Sequence, residues 1–168
     1  MSLIPLTLGV RVSSDAEGVS QAAPPKALAE KTLKRDSYTC RFCGFESHRF
    51  QRVLPHKNSE GGYVTACTFC EQCLFLERAG ITGAGLLIWL PEIPQAELNH
   101  ITRASYVARL ESKNAGIGQL GTQAIDALTA RRAEAKKRLG SDDPMLLATL
   151  MTESLNDDER QEAITKLD

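Results

Sequence analysis

The position of the cysteines constrains this chain more than any other feature of its sequence. All five lie between residues 40 and 73, and four of them form two pairs with two residues between the sulfurs: Cys40 with Cys43, and Cys67 with Cys70. This spacing allows a tight turn to direct both thiolates of a pair at one tetrahedral ion. The sequence therefore predicts a structural zinc site with these four residues as the metal ligands.

The fifth cysteine, Cys73, competes with the second pair for a place at the metal. We favour Cys67 and Cys70, because Cys67 ends a predicted strand and Cys70 falls in the first turn of the helix that follows. Cys73 lies one turn further along this helix and is expected to be a buried, small apolar residue. The alternative assignment places Cys73 at the metal instead of Cys67.

Three other uses of paired cysteines are disfavoured. Disulfides form in oxidising compartments, and the N-terminal residues lack the basic and apolar pattern of a secretion signal. A thioredoxin-like redox pair requires a β-α-β context, which this region does not offer. A four-iron cluster usually has a different cysteine spacing. We therefore expect reduced cysteines and a zinc ion.

The residues around the cysteines predict a treble-clef finger within an α+β protein. Gly44 supplies the positive φ that closes a knuckle turn after the first pair. Residues 48–54 and 63–66 are expected to form a β-hairpin, and residues 71–78 to form a helix. We expect three parts: an N-terminal strand and short helix (1–37), the zinc finger (38–80), and a mainly helical region packed on the finger (81–168).

Outside the finger, the sequence predicts short elements joined by loops. Before the finger these are an edge strand at 3–12, a loop at 13–23 and a helix at 26–35. After it they are an extended segment at 86–90, a helix at 95–112, a glycine-rich break at 114–121, and helices at 122–139, at 145–152 and up to about 167. The helix at 95–112 carries an apolar stripe formed by Leu98, Ile101, Tyr106, Val107 and Leu110. Its His100 is expected at the surface or in a capping role rather than at a metal.

Charge is unevenly distributed, although the whole chain carries a formal net charge of only −1. Residues 26–60 are basic and residues 140–168 are acidic. This pattern argues against general binding of polyanions and favours a basic finger surface that meets an acidic partner. Candidate partner contacts on the finger are its aromatic residues and two neighbouring arginines: Phe42, Phe45, Arg49, Phe50 and Arg52. No apolar run is long enough to span a bilayer, so we expect a cytoplasmic protein.

The finger sequences DSYTCRFCG and YVTACTFCEQC resemble the treble-clef scaffold of HNH endonucleases. That family uses a histidine base on the first hairpin strand and a histidine or asparagine on the helix to hold a catalytic metal. Here the strand position is occupied by Phe50 and Gln51, and the helix at 71–78 contains neither residue type. His48 and His56 lie outside the required register. The resemblance implies the scaffold without the catalytic set, with a nuclease or DNA-binding module as the alternative.

The opening MSLIPLTLGVRV together with the finger resembles a family of small subunits of the coupling complex in Dot/Icm type IV secretion systems. The resemblance implies a non-enzymatic adaptor that helps recruit effector proteins for translocation. It also implies association with the coupling ATPase DotL through its C-terminal region, with DotM and with other coupling-complex subunits. Such a subunit would lie peripherally at the inner membrane through its partners, without inserting into the membrane or binding nucleic acid.

Overall fold

The computed structural model describes residues 2–10 and 24–153 of the chain. These residues form helices and one two-stranded antiparallel sheet, which confirms the α+β class. A single 3-10 turn, Glu60–Gly62, precedes the second strand. In chain order the elements are α1 Lys26–Arg35, β1 Gln51–Pro55, β2 Tyr63–Cys67, α2 Thr68–Leu74, α3 Leu76–Thr82, α4 Gln95–Glu111, α5 Ala115–Ala130, α6 Arg132–Leu139 and α7 Pro144–Glu153.

The finger has the expected order of knuckle, hairpin and helix. Gly44 has a φ of 76°, and its N–H donates to the carbonyl of Cys40 at 2.9 Å, which closes the knuckle turn. Strand β1 pairs with β2 in an antiparallel register that places Gln51 opposite Cys67. Because Cys67 is both the last residue of β2 and the residue before α2, the strand-to-helix corner lies directly beside the knuckle.

The predicted helix at 71–78 is two helices, α2 and α3, separated at Phe75. Phe75 has φ and ψ of −136° and 77°, which are not helical values. The N-terminal segment causes the break, because Gly9 bonds to both sides of it. The Gly9 N–H donates to the carbonyl of Cys73 at 2.8 Å, and the Gly9 carbonyl accepts from the N–H of Leu76 at 3.0 Å. In a continuous helix the Cys73 carbonyl would accept from an N–H group of the next turn. Here it accepts from Gly9 instead.

The predicted edge strand at 3–12 was wrong for the part that the structure describes. Residues 2–10 are not paired with the sheet; they bond to the knuckle through Ile4, whose N–H donates to the Arg41 carbonyl at 2.8 Å, and to the α2–α3 break through Gly9. Position 9 requires glycine, since a Cβ there would lie 2.8 Å from the carbonyl oxygen of Leu74. The predicted loop at 13–23, the last helix and most of the acidic C-terminal stretch lie outside the described residues.

The predicted glycine-rich break at 114–121 is instead the first half of α5. Asn114 caps the helix, because its side-chain oxygen accepts from the N–H groups of Gly116 and Ile117. The helix ends at Ala130 rather than at 139, and a turn at Arg131 leads into α6. Gly121 serves packing: α5 lies against α4, and a Cβ at this position would be only 2.6 Å from the carbonyl oxygen of Ser105.

The other helix predictions, at 26–35, 95–112 and 145–152, are confirmed within a residue or two. Residues 86–90 are extended but pair with no strand among residues 2–10 and 24–153; Leu87 and Trp89 donate their N–H groups to the carbonyls of Asp142 and Arg131. Two apolar clusters hold the fold together, one inside the finger and one where α3, α6 and α7 meet around Leu76 and Ala135. The three-part division of the chain stays a prediction. Within the described residues, no helix is both long and apolar enough to cross a bilayer.

The contact between α4 and α5 gives a matched pair of mutations. Gly121→Ala is expected to cost about 1–3 kcal/mol of stability, because the new methyl group overlaps the α4 backbone. Gly118→Ala serves as the control, since its Cβ would meet the nearest atom at an ordinary 3.7 Å. Removing backbone freedom there should stabilise α5 by about 0.5–1 kcal/mol. Denaturant unfolding of both variants measures the difference, and equal effects would contradict the close approach.

Candidate metal centre

Four thiol groups converge at the junction of the knuckle and the hairpin. The Sγ atoms of Cys40, Cys43, Cys67 and Cys70 all lie within 4.8 Å of one another, and all four residues are buried. The Cys43 and Cys67 sulfurs are 3.8 Å apart. Zinc bound tetrahedrally by sulfur at about 2.3 Å would separate the sulfurs by about 3.8 Å. The side chains therefore already have the spacing of a four-sulfur metal site.

Local backbone structure places each sulfur. Cys40 and Cys43 lie on the knuckle, which is fixed by hydrogen bonds from the Cys40 N–H to the Phe45 carbonyl and from the Gly44 N–H to the Cys40 carbonyl, both at 2.9 Å. Cys67 ends β2, and Cys70 lies in the first turn of α2. The two pairs thus approach the centre from two rigid turns, which suits a site that is closed and structural rather than open and catalytic.

The thiols perturb one another strongly. Hydrogen bonds from the Cys40 and Cys67 thiols lower the pKa of Cys43 far below its ordinary value, whereas bonding to Cys40 and Cys43 raises the pKa of Cys70 far above it. Four buried thiolates cannot share this space, since like charges so close repel. A bound dication removes that conflict, because it allows all four sulfurs to be deprotonated together. The donor set therefore fits a thiolate-bound metal ion.

Cys73 lies outside the four-sulfur cluster. Its thiol donates to the Oδ1 atom of Asn99 at 3.8 Å, and Asn99 belongs to α4. Burial raises the pKa of the Cys73 thiol to about 11, so the group is protonated at neutral pH. The structure thus places the Cys67 sulfur in the four-sulfur cluster and the Cys73 thiol beside Asn99. This arrangement does not favour Cys73 at the metal instead of Cys67.

Helix α4 brings three polar side chains to the cluster, and the sequence analysis considered only His100 among them. Asn99 Nδ2 donates to the Cys70 sulfur at 3.4 Å, and Arg103 Nη2 donates to the Cys67 sulfur at 3.3 Å. His100 Nε2 donates to the carbonyl oxygen of Cys43 at 2.6 Å, so it contacts the knuckle. Their spacing on one helical face was visible in the sequence, but no sequence signal shows that this face meets the finger.

The predicted partner contacts on the finger differ in accessibility. Phe42 lies in the finger core at 3% exposure, so its ring is not available to a partner. Phe45 is partly buried, and the Arg103 guanidinium stacks on it at 3.8 Å. Phe50 is 49% exposed, with the Arg49 guanidinium 5.3 Å from its ring centroid. Arg52 is exposed and lies 4.0 Å from a carboxylate oxygen of Glu71. Phe50 and the two arginines remain at the surface.

Gln51 and the two histidines of the finger make structural contacts. Gln51 is buried, and its Nε2 donates to the carbonyls of Tyr38 and Phe45, at 3.0 and 2.6 Å. The ring of His48 packs on Tyr38 with their centroids 4.0 Å apart. His56 Nδ1 is 2.9 Å from the Ser59 hydroxyl. These groups hold the knuckle and the hairpin loop rather than converging on one point.

The predicted apolar stripe of α4 is mostly exposed. Leu98 is buried, but Ile101, Tyr106, Val107 and Leu110 are accessible, and α5 adds Ile117 and Leu120. The most exposed are Val107 at 55%, Leu110 at 69% and Leu120 at 65%. The same two helices border a recess of about 800 Å³ lined by apolar side chains that include Phe69, Trp89 and Ile125. An uncovered apolar surface of this kind is typical of a protein that binds another protein.

Comparison with known proteins gives one clear similarity. No protein-family model matches the chain. Among curated proteins, it is similar to the type 4 apparatus protein DotN of Legionella pneumophila. The two sequences are 34% identical over 152 residues, an alignment that covers 84% of this chain and 70% of the relative.

Proposed function

Since this chain belongs to the DotN family of type 4 apparatus proteins, we propose that it is a non-enzymatic adaptor subunit of a type IV secretion coupling complex. In this role it binds the C-terminal region of the coupling ATPase DotL, associates with DotM and other coupling-complex subunits, and helps recruit effector proteins for translocation. It lies in the cytoplasm, peripheral to the inner membrane through these partners. The observation that carries the proposal is the similarity along most of the chain.

The metal in this proposal is a structural zinc ion held by Cys40, Cys43, Cys67 and Cys70. The close spacing and burial of the four sulfurs support it, and a set of four thiol ligands suits a structural rather than a catalytic ion. When bound, zinc neutralises part of the thiolate charge and ties the knuckle to the hairpin and α2. The finger then offers pre-ordered backbone, so less conformational entropy is lost when a partner docks.

The absence of enzymatic activity is also part of the proposal. A nuclease of the HNH type needs a general base that can approach water, and in this register Gln51 instead uses its amide to hold two backbone carbonyls. His48 and His56 are engaged with Tyr38 and Ser59 in separate parts of the finger. This arrangement favours the adaptor over the nuclease or DNA-binding alternative.

The partner segment is proposed to meet two surfaces. The first is the edge of the finger formed by Arg49, Phe50 and Arg52, where an aromatic ring and two positive charges suit an acidic, partly apolar segment. The second is the exposed apolar face of the α4–α5 helix pair, represented by Leu110 and Leu120. Large apolar side chains carry most of the binding energy at such interfaces, and exposed charges mainly change the association rate and its salt dependence.

Recovery of the DotL C-terminal region by purified variants tests the proposal. Leu110→Ser combined with Leu120→Ser should weaken binding by about tenfold or more, because two anchors are lost. Phe50→Ala should weaken it with little salt dependence, whereas Arg49→Glu should weaken it mainly at low salt.

Ile81→Ser is the control, since Ile81 is 74% exposed on α3 and belongs to neither surface. Equal recovery by all folded variants would contradict both proposed surfaces, and no binding by the unaltered protein would contradict the adaptor role.

A further inference from the structure

The outer side of the four-cysteine cluster is occupied by two donors from one helix. Asn99 and Arg103 are four residues apart on α4, and their side-chain nitrogens lie 3.4 and 3.3 Å from the sulfurs of Cys70 and Cys67. Both contacts cross from α4 to the strand-to-helix corner of the finger, so they join two parts of the fold that are distant in sequence. Hydrogen bonds to a thiolate are strengthened by its charge.

Both donors are held in a fixed orientation by further contacts. The Oδ1 atom of Asn99 accepts from Gln95 Nε2 at 3.0 Å and from the Cys73 thiol, and the amide nitrogen lies closer to the Cys70 sulfur, at 3.4 Å, than to the Cys73 sulfur, at 3.7 Å. The Arg103 guanidinium lies 3.8 Å from the ring centroid of Phe45 and 5.0 Å from that of Phe69. Its Nη1 atom is 3.3 Å from Nδ1 of His100. Groups held in this way lose little entropy when they bind the cluster.

The charge of a loaded site gives these contacts their strength. Four thiolates around a dication leave an excess of negative charge in a buried place. The guanidinium of Arg103 brings positive charge to one of the sulfurs, and the amide of Asn99 brings the positive end of a dipole to another. A metal that held the sulfurs of Cys67 and Cys70 in place would therefore also hold the two donors of α4 that contact them.

We propose that Asn99 and Arg103 are positioning residues that tie α4 to the metal-bound thiolates, so that metal loading of the finger fixes the position of the α4–α5 helix pair. The inference rests on the metal site proposed above. It adds a link between that site and the helices that carry the exposed apolar side chains. It also assigns the two residues a second effect, which is to slow the loss of metal by holding the sulfurs of Cys67 and Cys70 in a fixed orientation.

Substitution of Arg103 in the full chain, loaded with Co²⁺ as a spectroscopic probe, tests the link at the sulfur. Arg103→Met keeps an unbranched stem against the two phenylalanine rings and removes the charge. We expect the sulfur-to-cobalt charge-transfer absorption to move to lower energy, because a thiolate without its hydrogen bond gives up an electron more easily. Asn99→Leu should move it in the same direction, and Arg103→Lys should restore it in part. Arg109→Met is the control, since Arg109 is exposed on the same helix and stacks on Tyr106.

Metal release and hydrogen exchange measure the consequence for the helix. Release of zinc to a chelator should be about tenfold to a hundredfold faster in Arg103→Met and Asn99→Leu than in Arg109→Met. In the zinc-loaded variants, amides of α4 and α5 should exchange faster, while those of β1 and β2 keep their protection.

If the unaltered protein binds no metal, the metal site and this inference both fail. If it binds metal but the spectrum, release rate and exchange are the same in all variants, only the proposed link fails. Should one variant not fold, the other still decides between these results.

Discussion

Cys67→Ser is expected to abolish stoichiometric metal binding and to unfold the finger, whereas Cys73→Ser keeps both the metal and the fold. Cys67 belongs to the four-sulfur cluster, and its hydroxyl replacement is a poor ligand for a thiolate-preferring ion. A structural zinc site contributes about 10–16 kcal/mol of binding free energy in small fingers. The whole stability of a domain is only about 5–15 kcal/mol, so the finger should not survive the loss.

The matched variant Cys73→Ser isolates the metal from general effects on α2. Cys73 is buried on the same helix as Cys70, but its thiol donates to Asn99 instead of facing the cluster. A serine hydroxyl keeps a small donor at this position. Metal analysis of purified protein, together with circular dichroism during heating, measures both variants and the unaltered protein. A metal content near zero in the unaltered protein, iron in place of zinc, or metal loss from Cys73→Ser alone would each contradict the assignment.

The sequence predicted the centre of this fold better than its periphery, for a physical reason. The four cysteines and Gly44 act through local geometry, since a pair of sulfurs two residues apart and a positive φ are requirements of one turn. The spacing therefore sufficed to place the four thiols together and to predict the hairpin. The burial of Phe42 could not be predicted from such local geometry. The segments that pack against a small finger decide which of its aromatic rings are buried.

The elements that were missed depend on contacts between distant residues. The break at Phe75 arises because Gly9, more than sixty residues earlier, takes the carbonyl that would continue the helix. The glycines of α5 have the composition of a loop, but Gly121 is needed where α5 touches Ser105 of α4. Likewise, the spacing of Asn99 and Arg103 shows only that they share a helical face, and the packing of α4 on the finger is what brings them to the sulfurs. Local patterns carry no information on such approaches.

The second large effect is expected at Asp36, whose carboxylate is fully buried beside the hairpin. One oxygen accepts from Arg35 Nε at 2.9 Å, and the other accepts from the backbone N–H of Thr65 in β2, also at 2.9 Å. Arg41 lies 3.6 Å away. Burial by itself would raise the pKa of Asp36, yet the hydrogen bonds from Arg35 and Thr65 hold that pKa below its ordinary value. The charged carboxylate thus connects the end of α1 to the middle of β2.

Asp36→Asn is expected to lower the free energy of unfolding by about 3–5 kcal/mol, because it removes the buried negative charge beside Arg35 and turns an acceptor into a donor. Glu134→Gln is the control, since its surface pair with Arg138 is a neighbouring-turn pair worth about 0.3–0.5 kcal/mol.

The pH dependence follows from the lowered pKa of Asp36 in the folded protein. The charged carboxylate contributes its full stabilisation above the unfolded-state pKa of about 3.9, and this contribution is lost as the pH falls through the folded-state pKa. The difference between Asp36→Asn and the unaltered protein should therefore be constant between about pH 6 and 8. Denaturant unfolding of the metal-loaded proteins across that range measures it, and a loss no larger than that of Glu134→Gln would show that the carboxylate does not hold α1 on the hairpin.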